Sequence, residues 1–154
     1  MNADFVNPFI AGLLNVMETM AQTKLTPGKP KRKQSDFAKG DVSGLIGMVG
    51  PNVRGSMSIT FDESLALTIM ERMVGERPAK LDAEVGDMVG EVTNMICGNA
   101  KRDLAERGYE FGMATPIVVS GKQHTISHQV DGAKIILPFM CDEGLAHLEI
   151  CFDK

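Results

Sequence analysis

Apolar residues recur at helical intervals in three stretches of the chain and alternate with polar ones in several others. Phe9, Ile10, Leu13, Leu14, Met17 and Met20 repeat three and four apart, which predicts an amphipathic helix. Asn7 suits its cap, Pro8 its first position, and it closes near Gln22 to Lys24. Asp62 introduces a second helix with the stripe Leu65, Ile69, Met70 and Met73, stopped by Gly75 with Pro78 beyond. A third and longer helix is predicted over 82–107, from Asp82 to Arg107, closed by Gly108. Residues 42–50 and 54–61 read as strands joined through the turn residues Gly50, Pro51, Asn52 and Val53. Further strands are predicted over 115–120, 124–130, 133–140 and 146–152, separated by Gly121, by Asp131-Gly132 and by Glu143-Gly144. Asp131-Gly132 has the composition of a two-residue hairpin turn. The Pro- and Lys-rich run from Lys24 to Lys33 reads as an exposed turn entering an edge strand, where such residues discourage edge-to-edge pairing. Helix, strands, two helices, then strands is the order of an α+β domain with a mostly antiparallel sheet.

Composition narrows the classes. A chain of 154 residues makes one domain, 1–154, and 44% hydrophobic residues suffice for a core without disulfide or metal. A net charge of −4 argues against nucleic-acid binding, and the basic run from Lys24 to Lys33 lacks the aromatic residues that would stack on bases. No apolar stretch is long enough to span a membrane. The first residues carry Asp4 and no basic cluster, unlike a signal peptide. Cys97, Cys141 and Cys151 form no C-x-x-C pair, and their odd number fits reduced thiols and a cytoplasmic location.

The third helix has two distinct sides. At 100° per residue, Val85, Met88, Val89, Val92, Met95 and Ile96 gather on a core face, while Asp87, Glu91, Asn94 and Gly98 gather on another. Glu91 and Asn94 therefore project in nearly one direction, one turn apart. A glycine inside a helix costs roughly 0.5–1 kcal/mol relative to alanine. On an outward face Gly98 fills no packing need, so close approach of another surface is a useful reason for it. Gly86 and Gly90 lie elsewhere on the wheel and suit internal packing. The E-x-x-N spacing alone is common on solvated helices. Other candidates are thinner. His124 and His128, four apart in a strand, would lie ~13 Å apart, too far to share a zinc readily, with His147 as the remaining histidine. Cys97 faces sideways on its helix with no histidine nearby in sequence to activate it.

The run Asp87-Met88-Val89-Gly90-Glu91-Val92-Thr93-Asn94-Met95-Ile96-Cys97-Gly98-Asn99-Ala100-Lys101 closely resembles the D-x-V-G-E-x-x-N-x-x-x-G signature of the CheC/CheX/FliY phosphatases. Asn7-Pro8-Phe9 with Glu18-Thr19-Met20, Gly55 to Phe61, Ala66-Leu67, Met73 to Glu76, Thr115-Pro116 and Pro138-Phe139 are similar too, in order along nearly the whole chain. The resemblance implies a CheC-like α/β layer, with two principal helices against the sheet. It also implies a homodimer joined through sheet edges, and hydrolysis of the aspartyl phosphate on CheY, a chemotaxis response regulator. CheC proteins carry two motif helices. Here the first helix offers only Asn15-x-x-Glu18, in reversed order, and Glu18-x-x-Ala21, without the amide, so the chain resembles the single-site CheX branch. By the same resemblance Asn94 orients the attacking water and Glu91 pairs with the regulator's active-site lysine. Asp87, Gly98 and Lys101 are expected at the docking surface. The expected Mg²⁺ belongs to the regulator, and no cofactor is expected on this chain. The alternative is a CheX-like module that docks on receiver domains or flagellar-switch relatives without turnover.

Overall fold

The computed structural model describes residues 3–51 and 53–153. The elements run α1 (Ala3–Ala21), β1 (Thr26–Pro27), β2 (Lys31–Lys33), β3 (Val42–Val49), β4 (Arg54–Phe61), α2 (Glu63–Val74), α3 (Ala83–Glu106), β5 (Gly112–Met113), β6 (Ile117–Ser120), β7 (Lys134–Cys141) and β8 (Gly144–Asp153). The strands form one eight-stranded sheet in the order β1-β7-β8-β4-β3-β5, with β2 also on β7 and β6 also on β3. Every described strand pair is antiparallel. The α+β class and the helix-against-sheet layering expected from the sequence are both present. No helix among the described residues is long and apolar enough to cross a membrane.

Alternation along β4 organises the layers. Met57, Ile59 and Phe61 point into the core under the helices, so Ser56, Ser58 and Thr60 point to the opposite face. Those three polar residues are buried as well, so the sheet is covered on both sides. The second cover is the segment 121–133. His124 Nε2 lies 2.7 Å from Ser43 Oγ, His128 Nδ1 lies 2.7 Å from Ser56 Oγ, and Ile126 is buried between them.

This segment corrects the strand expected over 124–130. Inward His124, Ile126 and His128 do alternate with exposed Thr125, Ser127 and Gln129. The period of two reports an extended, half-buried chain, and a chain crossing a sheet face satisfies that as well as a strand within the sheet. Its ladder contact is a lone bridge, Thr125 with Phe37. Asp131-Gly132 is accordingly no hairpin turn. A Cβ on Gly132 would collide with the Phe152 carbonyl, so the glycine serves close backbone approach.

The first helix also differs. It begins at Ala3, so Asn7 and Pro8 lie inside it rather than at its start. An interior proline costs about 3 kcal/mol. Burial of Phe5 and Val6, at roughly 1.5–3 kcal/mol each, offsets that. The Phe5 ring lies 4.0 Å from Phe152 and 4.9 Å from Tyr109, both at steep angles. Asp62 holds the cap position of α2, but its carboxylate accepts from Leu145 N–H at 2.9 Å. The Asp41 carboxylate instead receives the Glu63 N–H at 2.8 Å. The hairpin between β3 and β4 is as expected, with Gly50 N–H donating to Val53 O at 2.8 Å; Asn52 lies outside the described residues.

Lys33 departs from the exposed run to which it belongs. On edge strand β2 it turns inward, and its Nζ meets Glu149 Oε2 at 2.7 Å, with side-chain exposures of 3% and 0%. His128 Nε2 lies 3.2 Å from the other carboxylate oxygen. Burial pushes the Glu149 carboxyl up, but hydrogen bonds from His128 and Lys33 outweigh it and hold the group below its ordinary 4.5. Folded protein therefore binds fewer protons at Glu149 than unfolded protein does. The stability this group contributes is present above the ordinary value and drains away as pH falls through the lowered one. Lys33→Met would leave a buried carboxylate short of its cation, at a cost of about 3–5 kcal/mol. Urea unfolding between pH 7 and pH 3 should show that loss at pH 7 and a narrowing gap between variant and wild type toward pH 3, because Glu149 without Lys33 loses the support that lowers it. Superimposable curves would show that the pair contributes nothing.

Candidate functional site

Helix α3 has a built start and a committed inner side. The Asp82 carboxylate accepts from Val85 N–H at 3.0 Å, and Glu84 adds negative charge to the first turn, where the helix dipole favours it. Val85, Met88, Val89, Val92, Ile96, Ala100 and Leu104 are buried against α1 and the sheet, and Met95 is half-buried at the margin of that face.

With that side fixed, Asp87, Glu91, Asn94, Gly98 and Lys101 form one outward stripe within about 80° of arc. Asp87 and Glu91 are exposed, while Asn94, Gly98 and Lys101 are half-buried. Among the described residues, none hydrogen-bonds or forms an ion pair with the Glu91 carboxylate or the Asn94 amide. A Cβ placed on Gly98 meets nothing within 4 Å. The structure thus brings the expected site residues together on one open helix face. The arrangement offers a carboxylate for a cation and, one turn on, an uncharged group with both a donor and an acceptor. A broad cleft of about 620 Å³, lined in part by Phe37, Asp41, Asp62 and Lys122, takes no residue from α3.

The other candidates resolve differently. Cys97 is buried, and burial pushes its thiol up to about 12, which removes it as a nucleophile. His124 spends its second ring nitrogen on Gly121 O at 2.7 Å, and His128 spends its own on Glu149, so neither has a nitrogen left for a metal. Burial, first among several influences, lowers His147. Sequence reading missed the Ser56–His128–Glu149 chain, which has the connectivity of a nucleophile, base and acid. It is sealed under 121–133, with Ser56 4% exposed, so it serves as a strut. Its members come from three elements remote in sequence, and no local spacing announces them.

A family model for the chemotaxis phosphatase CheX matches residues 42–140, which include all of α3. The chain is similar to the CheY-P phosphatase CheX of Thermotoga maritima, at 26% identity over 123 residues, 79% of each chain. Its structure is similar to that of the chemotaxis protein CheX from Vibrio vulnificus, at 62% identity and a TM-score of 0.93, covering 98% of this chain and 100% of that one. It is also similar to a CheX–CheY–BeF3–Mg²⁺ complex from Borrelia burgdorferi, at 28% identity and a TM-score of 0.82, covering 99% of this chain and 100% of that one.

The open space at Gly98 has a measurable consequence. Gly98→Ala should stabilise the isolated protein by about 0.5–1 kcal/mol, because a methyl group restricts the unfolded chain and meets no neighbour in the folded one. Thermal unfolding reads this directly, and a lowered midpoint would mean the glycine serves the protein's own packing.

Proposed function

The chain belongs to the CheX family, and from that premise we propose that it hydrolyses the aspartyl phosphate of a CheY-type response regulator. The observation that carries the reading is the outward pair on α3: Glu91 and Asn94 one turn apart, without hydrogen-bond or ion-pair partners among the described residues, beside the unobstructed Gly98. The relative from Thermotoga maritima is a CheY-P phosphatase, and the CheX from Borrelia burgdorferi has been solved with CheY, BeF3 and Mg²⁺.

An aspartyl phosphate is an activated acyl phosphate, and the regulator's own Mg²⁺ and lysine neutralise its phosphoryl oxygens. What is left to supply is an attacking water held in line with the scissile P–O bond. In this reading Asn94 enters the regulator's site and holds that water through its amide. The group carries no charge to repel the phosphate and has no basicity to take a proton, so its contribution is orientation. Glu91 pairs with the regulator's lysine and fixes where Asn94 lands. Asp87, Gly98 and Lys101 line the docking surface. The smooth contour at Gly98 allows the partner's backbone to come close.

Phosphate release from phosphorylated regulator, with Mg²⁺ and substoichiometric protein, tests the reading. Wild type should release more than one equivalent. Asn94→Ala should slow release by about a hundredfold with binding largely kept, and Asn94→Asp should fail through charge repulsion. Glu91→Ala should weaken binding by about 2 kcal/mol or more, and lower activity with it. An Asn94→Ala protein as fast as wild type ends the proposal; tight binding without turnover makes the protein a docking module.

Two copies are further proposed to pair through the β6 edge. The opposite edge carries Pro27 and the cations Lys31 and Arg32, which discourage pairing. By contrast Ile117 and Val119 on β6 are 60% and 37% exposed. Light scattering should find a dimer for wild type and a monomer for Ile117→Lys with Val119→Lys. A monomeric wild type, or a double variant that stays dimeric, would refute this pairing.

A further inference from the structure

The turn of α3 that carries Glu91 and Asn94 sits on the sheet through missing side chains. Gly44 of β3 lies directly under Thr93, and a Cβ there would collide with the Thr93 hydroxyl. Thr93 is fully buried, and its hydroxyl donates back to Val89 O at 2.7 Å, so it asks nothing polar of the sheet. Beside Gly44 in strand register stands Val118 of β6. Its two methyl groups lie 3.9 Å and 3.4 Å from the Cβ positions of Gly86 and Gly90, which sit one turn apart on α3. The sheet therefore accepts a knob from the helix at Gly44, and the helix accepts one from the sheet between Gly86 and Gly90. Gly90 precedes Glu91 and Thr93 precedes Asn94, so both contacts act within one turn of the outward pair.

We propose that Val118 is a positioning residue for the phosphatase reaction: it sets the depth and roll of α3, and so the place at which the Asn94 amide stands once a partner is docked. The proposal rests on the role given to Asn94 above. A helix free to roll by about 10° carries a group ~6 Å from its axis through ~1 Å. An in-line water tolerates much less than that, and a displacement of ~1 Å can cost about a hundredfold in rate. A carboxylate reaching for a flexible lysine accommodates the same shift by rotating. Loss of the wedge should therefore fall on turnover more than on docking.

Val118→Ala removes the wedge, and Val118→Ile keeps it. Ile136→Val serves as the control, since Ile136 is buried on the sheet face opposite the helices and pairs in register with Glu149. Steady-state phosphate release should show kcat for Val118→Ala lowered at least about tenfold, with KM within about twofold of wild type. Val118→Ile should retain kcat, and Ile136→Val should lower the melting temperature without lowering kcat. A Val118→Ala kcat within twofold of wild type, or an equal fall in the control, overturns the proposal. A second readout needs no catalysis: the Asn94 side-chain amide resonances of the free protein should shift in Val118→Ala and stay in place in Ile136→Val. Unshifted resonances overturn the positioning claim even if wild type releases no phosphate, an outcome that by itself would count against the functional reading.

Discussion

Contact between Thr93 and the bare backbone of Gly44 fixes how closely the longest helix lies on the sheet, and the rest of the molecule is arranged around that distance. A side chain at position 44 would lift α3 and open the core beneath Val89, Val92 and Ile96. From its other flank α1 approaches through a second glycine: a Cβ on Gly12 would stand 3.0 Å from the Ile96 carbonyl. Held from below and from the side, α3 has no freedom to choose which residues face outward. The stripe from Asp87 to Lys101 is left over once the inner side is satisfied, and a rigid helix keeps it in register better than a loop would.

The second face of the sheet is built on a different economy. Under the helices the sheet buries aliphatic and aromatic groups, whereas beneath 121–133 it buries Ser43, Ser56, Ser58, Thr60 and Glu149. All of these but Ser58, whose hydroxyl has no partner among the described residues, are tolerated because they are hydrogen-bonded: Ser43 with Thr60 and His124, Ser56 with His128, Glu149 with Lys33 and His128. Directional bonds locate a covering segment that has no ladder to hold it in register. The same bonds tie edge strand β2 to β8, so the polar face secures a part of the sheet that the helices do not reach.

Much of this was legible in the sequence, and what was not has identifiable causes. Helices α2 and α3 were found because their apolar stripes end at strong signals, Asp82 at one start and Gly75 and Gly108 at the stops; both glycines adopt positive φ, 90° and 91°. The outward set on α3 followed from angular arithmetic alone. The start of α1 was lost because Pro8 is a good first residue, and only the tertiary contact of Phe5 with Phe152 shows why the helix continues through it. Residues 124–130 alternate in burial as a strand does yet make only a lone bridge, since periodicity reports burial and not hydrogen bonding. Lys33 was invisible in a run of cations, because its carboxylate lies 116 residues away.

A convex helix face is an odd place for an enzyme's chemistry unless the cavity belongs to something else. Here the cleft described on the surface takes nothing from α3, and among the described residues none hydrogen-bonds or ion-pairs with the side chains of the outward pair. On the proposed reading this is a requirement. A phosphorylated receiver domain already encloses its phosphate, metal and lysine, and a second concave site would only keep the two apart. What can be added through a narrow opening is a slender projecting group, uncharged near a phosphate and stiff enough to hold one water. An asparagine on a helix seated by glycines meets each of those demands, and a loop carrying the same residue would lose the precision that makes the water useful.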